Sequence, residues 1–159
     1  MSREFTVEAF DTRLHGVDSF GDGPPLLFLN GGLSTRQQWD RVISRFGGRY
    51  RTVRFDDRPS RGSGVRADRW VREAIDDVDR VIEATALRWP ILVGWSRGAT
   101  IAVCYAAEQP QLVGGLVLVD GAHPVALLDA AGSAEPYHGR FGLPAPGPCS
   151  AAPARRPYG

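Results

Sequence analysis

Lysine is absent from the 159 residues, so all 19 basic residues are arginine. Set against 18 acidic residues they leave a formal net charge of +1, and they are dispersed along the chain with no polybasic run. That excludes the electrostatic footprint of a nucleic-acid-binding or anionic-membrane-binding protein. The missing lysine itself carries no chemistry, since arginine serves equally well on a solvated face. Cysteine is scarce: Cys104 sits in an apolar run and Cys149 in a proline-rich stretch, a pair with neither metal-ligand spacing nor a disulfide framework. A packed thiol is expected at Cys104, and no metal site. No stretch approaches the roughly 18 apolar residues of a membrane span. The first ten residues lack the basic and apolar blocks of a secretory signal. The expectation is a soluble, cytoplasmic protein of one domain, without nucleic-acid or membrane partners.

What is present is an alternation of strand and helix signals. Residues 4–10 and 13–20 read as an antiparallel hairpin around Asp11-Thr12. After the turn-prone Gly21-Asp22-Gly23-Pro24-Pro25, the runs at 26–29, 52–55, 91–93 and 116–119 read as strands buried on both faces. Between them, Ser34 or Thr35 caps a helix that runs to Phe46, with Trp39, Val42, Ile43 and Phe46 on one stripe. Asp68 caps a second helix. Its buried stripe is Val71, Ile75, Val78 and Ile82, and its charged residues Arg72 to Arg80 form a solvated face. A third helix, 99–108, is apolar nearly all round, which means buried. The predicted class is α/β: a mostly parallel sheet covered by helices on both faces, opened by an antiparallel N-terminal hairpin. The domain is expected over residues 1–128. Residues 129–159 read as a Pro/Gly/Ala-rich disordered tail, with five prolines and four glycines in 139–159.

The chemistry concentrates at Gly94-Trp95-Ser96-Arg97-Gly98, between the strand 91–93 and the third helix. Small residues on both sides let strand and helix approach closely, so a turn this sharp strains the serine and lifts its hydroxyl above the sheet edge. This segment resembles the nucleophile elbow of the α/β-hydrolase family, and the resemblance extends over residues 5–124. It implies a partial α/β-hydrolase fold and a serine hydrolase of esterase type. The implied substrate is a small molecule (a carboxylic ester, lactone or thioester) attacked through an acyl-enzyme at Ser96, with no metal or organic cofactor. Asn30-Gly31-Gly32 resembles the family's oxyanion loop, with Asn30 where a histidine is usual. The implied oxyanion donors are the backbone N–H groups of Gly32 and Arg97. The segment 55–64 resembles a structural loop of the family, its Asp and Arg tying turns together. Asp120, at the end of the last strand, is the candidate triad acid.

The general base is the gap in this reading. A triad histidine follows the acid in this family. His15 lies in the opening hairpin, on the wrong side of that order. His123 and His138 stand after Asp120 but read as loop and pre-tail residues. A truncated or frameshifted hydrolase, impaired in turnover, is one expectation. A noncatalytic hydrolase-like remnant that binds ligand, or an inactive gene fragment, is the other.

Overall fold

The computed structural model describes residues 2–58 and 67–121. Six strands form one sheet: β1 (Arg3–Ala9), β2 (Thr12–Asp18), β3 (Pro25–Leu29), β4 (Arg51–Phe55), β5 (Ile91–Trp95) and β6 (Gly115–Val119). Their order across the sheet is β1-β2-β4-β3-β5-β6. β1 pairs antiparallel with β2, and β2 antiparallel with β4. From β4 onward every neighbour is parallel. The fold is thus the expected α/β class with an antiparallel start.

The apolar runs are continuous because both faces of the central strands are covered. Alternate residues of a strand point to opposite faces. Leu27 and Leu29 of β3 pack with Val53, Phe55 and Leu92 under α2 (Ala67–Ala84) and α3 (Arg97–Glu108). Leu26 and Phe28 point the other way and pack with Trp39 and Val93, beneath the segment that follows β3. Cys104 is buried in the first of these cores, as expected.

Four local expectations need correction. The helix after β3 is broken into a 3-10 turn, Arg36–Trp39, and a short α1, Asp40–Ser44. Thr35 holds the cap position without a side-chain bond, while the Ser34 hydroxyl donates to the Gly31 carbonyl at 2.8 Å. Ser34 therefore closes its own loop instead of starting a helix, and Val42 is left exposed. Helix α2 begins at Ala67, so Asp68 falls within its first turn. The charged face of α2 is not simply solvated, because Asp77 is 3% exposed and bonded to Arg58. Arg72 also reaches across to Glu108 of α3. Finally, α3 and β6 are less buried than their composition implies: Ala107 is exposed, and so are Leu116, Val117 and Val119. Among the described residues β6 is an edge strand, paired on one side only. The 59–66 part of the loop after β4, the tail, His123, His138 and Cys149 lie outside the described residues.

Candidate active site

β5 ends at Trp95 and α3 begins at Arg97, so Ser96 alone turns the chain from strand into helix. Its dihedrals are φ 51° and ψ −113°. A non-glycine residue held there stores about 1–3 kcal/mol of strain, which persists only where surrounding structure over-determines it. That structure is visible. The Ser96 N–H donates to the Val119 carbonyl of β6 at 3.0 Å, and the Ser96 carbonyl accepts from Ala99 at 3.0 Å. The residue as a whole is half-buried at the carboxyl edge of the sheet.

The flanking glycines are required by close approach. A Cβ on Gly94 would meet the Ala99 Cα at 2.6 Å, and one on Gly98 would meet the Leu29 carbonyl carbon at 2.6 Å and the Asn30 oxygen at 2.8 Å. The first turn of α3 therefore rests directly on the end of β3. Trp95, immediately before the serine, lies over the next residues of that same loop: a Cβ on Gly31 would meet its ring at 2.5 Å. The Asn30-Gly31-Gly32 loop and the Ser96-Arg97-Gly98 turn are thus packed against each other. The N-terminus of α3 lies at the serine and favours negative charge there.

Asn30 is the anchor of this loop. It is fully buried, its Nδ2 donates to the Phe55 carbonyl at 2.8 Å, and its Oδ1 accepts from Trp39 Nε1 at 2.9 Å and Gln38 Nε2 at 3.1 Å. One side chain thereby joins the ends of β3 and β4 to the 3-10 turn. Gly32, two residues on, is exposed, with open space where a Cβ would stand.

Beyond β4 the chain spends three consecutive charged residues on three different elements. Asp56 accepts from the backbone N–H of Arg36 at 2.8 Å and also pairs with its guanidinium. Asp57 pairs with the guanidinium of Arg97, which also stands 5.7 Å over the Trp70 ring. Arg58 grips both carboxylate oxygens of Asp77 on α2, at 2.7 and 2.5 Å. Burial pushes the Asp57 carboxyl up to about 6, against the lowering pull of Arg97. Burial likewise raises Asp77, opposed by Arg58, and the bond to Asp77 raises Arg58 further.

Of the other sequence candidates, one lies beside the Ser96 turn and one lies across the sheet. Val119 pairs with Trp95, so Asp120 follows on the strand next to the elbow; it is exposed, with φ 46°. His15 is on β2, where its Nδ1 lies 3.2 Å from the Thr6 hydroxyl. Three strand spacings, about 14 Å, separate β2 from β5, so His15 is out of reach of Ser96. Among the described residues no group of three or more His, Cys, Asp or Glu is arranged to hold a metal ion. No helix there is long and apolar enough to cross a membrane. Sequence reasoning missed the anchoring by Asn30 and the Asp57–Arg97 pair. It also missed the burial of Asp77, although Asp77 shares helical spacing with Trp70, Ala74 and Val81, three residues on the core side of α2.

Comparison with known proteins agrees with this architecture. The model of a family described as alpha/beta hydrolase fold matches residues 24–150. A pimeloyl-[acyl-carrier protein] methyl ester esterase from Nitrosomonas europaea is 32% identical over 106 residues, which are 65% of this chain and 39% of that protein. Epoxide hydrolase 3 from Xenopus tropicalis is 30% identical over 122 residues, 74% of this chain and 33% of that one. Among solved structures, an esterase from Exiguobacterium antarcticum superposes with a TM-score of 0.66 at 24% identity, covering 77% of this chain and 47% of its own. This chain therefore spans less than half the length of each of these relatives.

Proposed function

Because this chain belongs to the α/β-hydrolase fold family, we propose that it carries a serine acyl-transfer site in which Ser96 is the nucleophile toward a carboxylic ester, lactone or thioester. The observation that carries this reading is the strained conformation of Ser96 between β5 and α3, held by β6 and by two glycines that admit no side chain. Strain of that kind at a strand-to-helix turn is retained where a side chain must be presented.

In the proposed step Ser96 Oγ bonds to the acyl carbon as its proton passes to solvent water, which later returns a proton to the departing oxygen or sulfur, and the carbonyl oxygen becomes an oxyanion. The N–H groups of Gly32 and Arg97 receive that charge, each worth about 3 kcal/mol in comparable sites. The bond to the leaving oxygen or sulfur then breaks, leaving the acyl group on Ser96 for water to remove. A hydroxyl at the elbow fits acyl transfer. Opening an epoxide or displacing a halide in this family calls for a carboxylate nucleophile, so the Xenopus epoxide hydrolase offers the fold and not the reaction. Asp120 is the proposed acid, on the strand beside the elbow. A small acyl substrate without metal or organic cofactor is all that the step requires.

The described histidine stands three strands away, so turnover of p-nitrophenyl acetate by this chain is expected to be slow. Oxyanion contacts and binding without a triad leave about 10³ to 10⁴ over water. Peptide mass mapping after brief exposure should find the acetyl group on Ser96, and the Ser96→Ala chain should carry none there. Acetylation confined to other residues, with hydrolysis unchanged in Ser96→Ala, would remove the reading and leave a hydrolase-like binding protein. Fast turnover lost in Ser96→Ala and also in His123→Ala or His138→Ala would identify that histidine as the base.

A further inference from the structure

The two loops that carry the proposed amide donors are each tied to one of two adjacent carboxylates. Asp56 accepts from the N–H of Arg36 and pairs with its guanidinium, closing the loop that holds Gly32; Asp57 pairs with the side chain of Arg97 itself. Both carboxylates leave β4 as neighbours, just after Phe55, whose carbonyl is in turn held by Asn30. We propose that Asp56 and Asp57 are positioning residues that set the separation of the Gly32 and Arg97 amides, and that ionisation of Asp57 locks the Arg97 half of the pair. The inference deepens the reading of Ser96 as an acyl-transfer nucleophile and rests on it for its catalytic meaning.

Stability does not account for the Asp57–Arg97 pair. A carboxyl whose value is raised to about 6 binds its proton more tightly in the folded chain than in the unfolded one. Its contribution to stability is therefore full below the unfolded value of 3.8 and declines as pH rises through about 6. At neutral pH burying the ionised Asp57 carboxylate costs folding free energy that its contact with Arg97 offsets only in part. What the pair does supply is geometry. Arg97 is the first residue of α3 and the one after Ser96. Its guanidinium is fixed by Asp57 and the Trp70 ring, while its Nε finds no partner among the described residues. Release of Asp57 leaves Trp70 as its remaining hold there.

The charged groups around Asp57 come from three elements. Arg97 faces it from α3. From α2 comes Asp77, which is gripped by Arg58, with Glu73 also 3.4 Å from that arginine. Asp56 is its own neighbour, paired with Arg36 at the start of the 3-10 turn. Among these acids Asp57 alone is bonded to a residue adjoining the nucleophile.

The test is a pH titration of backbone amide shifts in the whole chain, followed by rates of Ser96 phosphonylation with a fluorophosphonate. The Arg97 amide should titrate with a midpoint near 6, and the titration should vanish in Asp57→Asn. Above that midpoint the wild-type chain should label about tenfold faster than Asp57→Asn, a loss in keeping with a small displacement of a reacting geometry. Below it the two rates should converge, because the wild type has lost the same charge. Asp56→Asn should slow labelling by a similar factor and shift the Gly32 amide. Asp77→Asn, which removes a partner of Arg58 and of neither donor loop, should lower stability and keep an Arg97 titration, with its midpoint moved down because the Asp77 charge no longer raises Asp57. An Arg97 amide that does not titrate in the wild-type chain, or Asp57→Asn labelling at the wild-type rate throughout, overturns the proposal. Arg97 titrating in a chain that never labels would sink the nucleophile reading while the coupling stands.

Discussion

Replacing Gly98 by alanine should lower the melting temperature of the chain by about 10 °C, a loss of about 3 kcal/mol. Two effects compete. Alanine in a helix is favoured over glycine by about 1 kcal/mol, and Gly98 lies in the first turn of α3. Against that, the new methyl group meets the Leu29 carbonyl carbon at 2.6 Å and the Asn30 oxygen at 2.8 Å. Those atoms are backbone at the end of a central strand, so they cannot rotate aside as a side-chain tip would, and forced overpacking of this kind dominates. Gly32→Ala is the matched contrast, since nothing stands within 4 Å of its Cβ position. It should change stability by no more than about 0.5 kcal/mol. Thermal unfolding followed by circular dichroism checks both. Equal melting temperatures for Gly98→Ala and the parent would mean that α3 does not rest on β3 as described.

Asn30→Ala should cost a comparable amount, about 3 kcal/mol, through a different mechanism. The change leaves the Phe55 carbonyl without the Asn30 donor, and the Trp39 and Gln38 N–H groups without the Asn30 acceptor, at a fully buried position. Leaving a buried group unsatisfied costs the desolvation of that group, typically about 1–3 kcal/mol each, with partial relief by rearrangement. Asn30→Asp keeps the acceptor for Trp39 but removes the donor to Phe55 and buries a charge. It should be at least as destabilising as alanine. Urea unfolding gives the comparison, and an Asn30→Ala chain as stable as the parent would show that the loop is not anchored by this side chain.

The strands were legible because burial on two faces favours unbroken apolar runs, which residues 26–29 and 91–93 have, while Thr52-Val53-Arg54-Phe55 was legible from its β-branched and aromatic residues. The sharp turn at Ser96 was legible for a related reason: glycine on both sides of a serine, at the junction of an apolar strand and a helix, lets the two elements approach closely. The helix after β3 was misread because periodicity at Trp39, Ile43 and Phe46 records which residues face the core and not whether the backbone between them is α or 3-10. Asp77 looked solvated because a run of charges hides the one that points inward. Its partner Arg58 lies 19 residues away, beyond what pattern reading connects. The same holds for Asp57 and Arg97, 40 residues apart. Asn30 was noticed as a substitution for histidine, yet its three partners come from two different elements that only the folded sheet brings together.

The account stands on Ser96 being the nucleophile, faced by two backbone donors. Phosphonylation of the folded chain by a fluorophosphonate, with mass mapping and amide shifts recorded on the product, reads both features at once. The expected result is a single adduct on Ser96, absent from Ser96→Ala, with the Gly32 and Arg97 amides moving furthest as they bind the phosphonyl oxygen at about 3 Å. A folded chain that takes no label, or an adduct on Ser96 that leaves both amides unmoved, would contradict it.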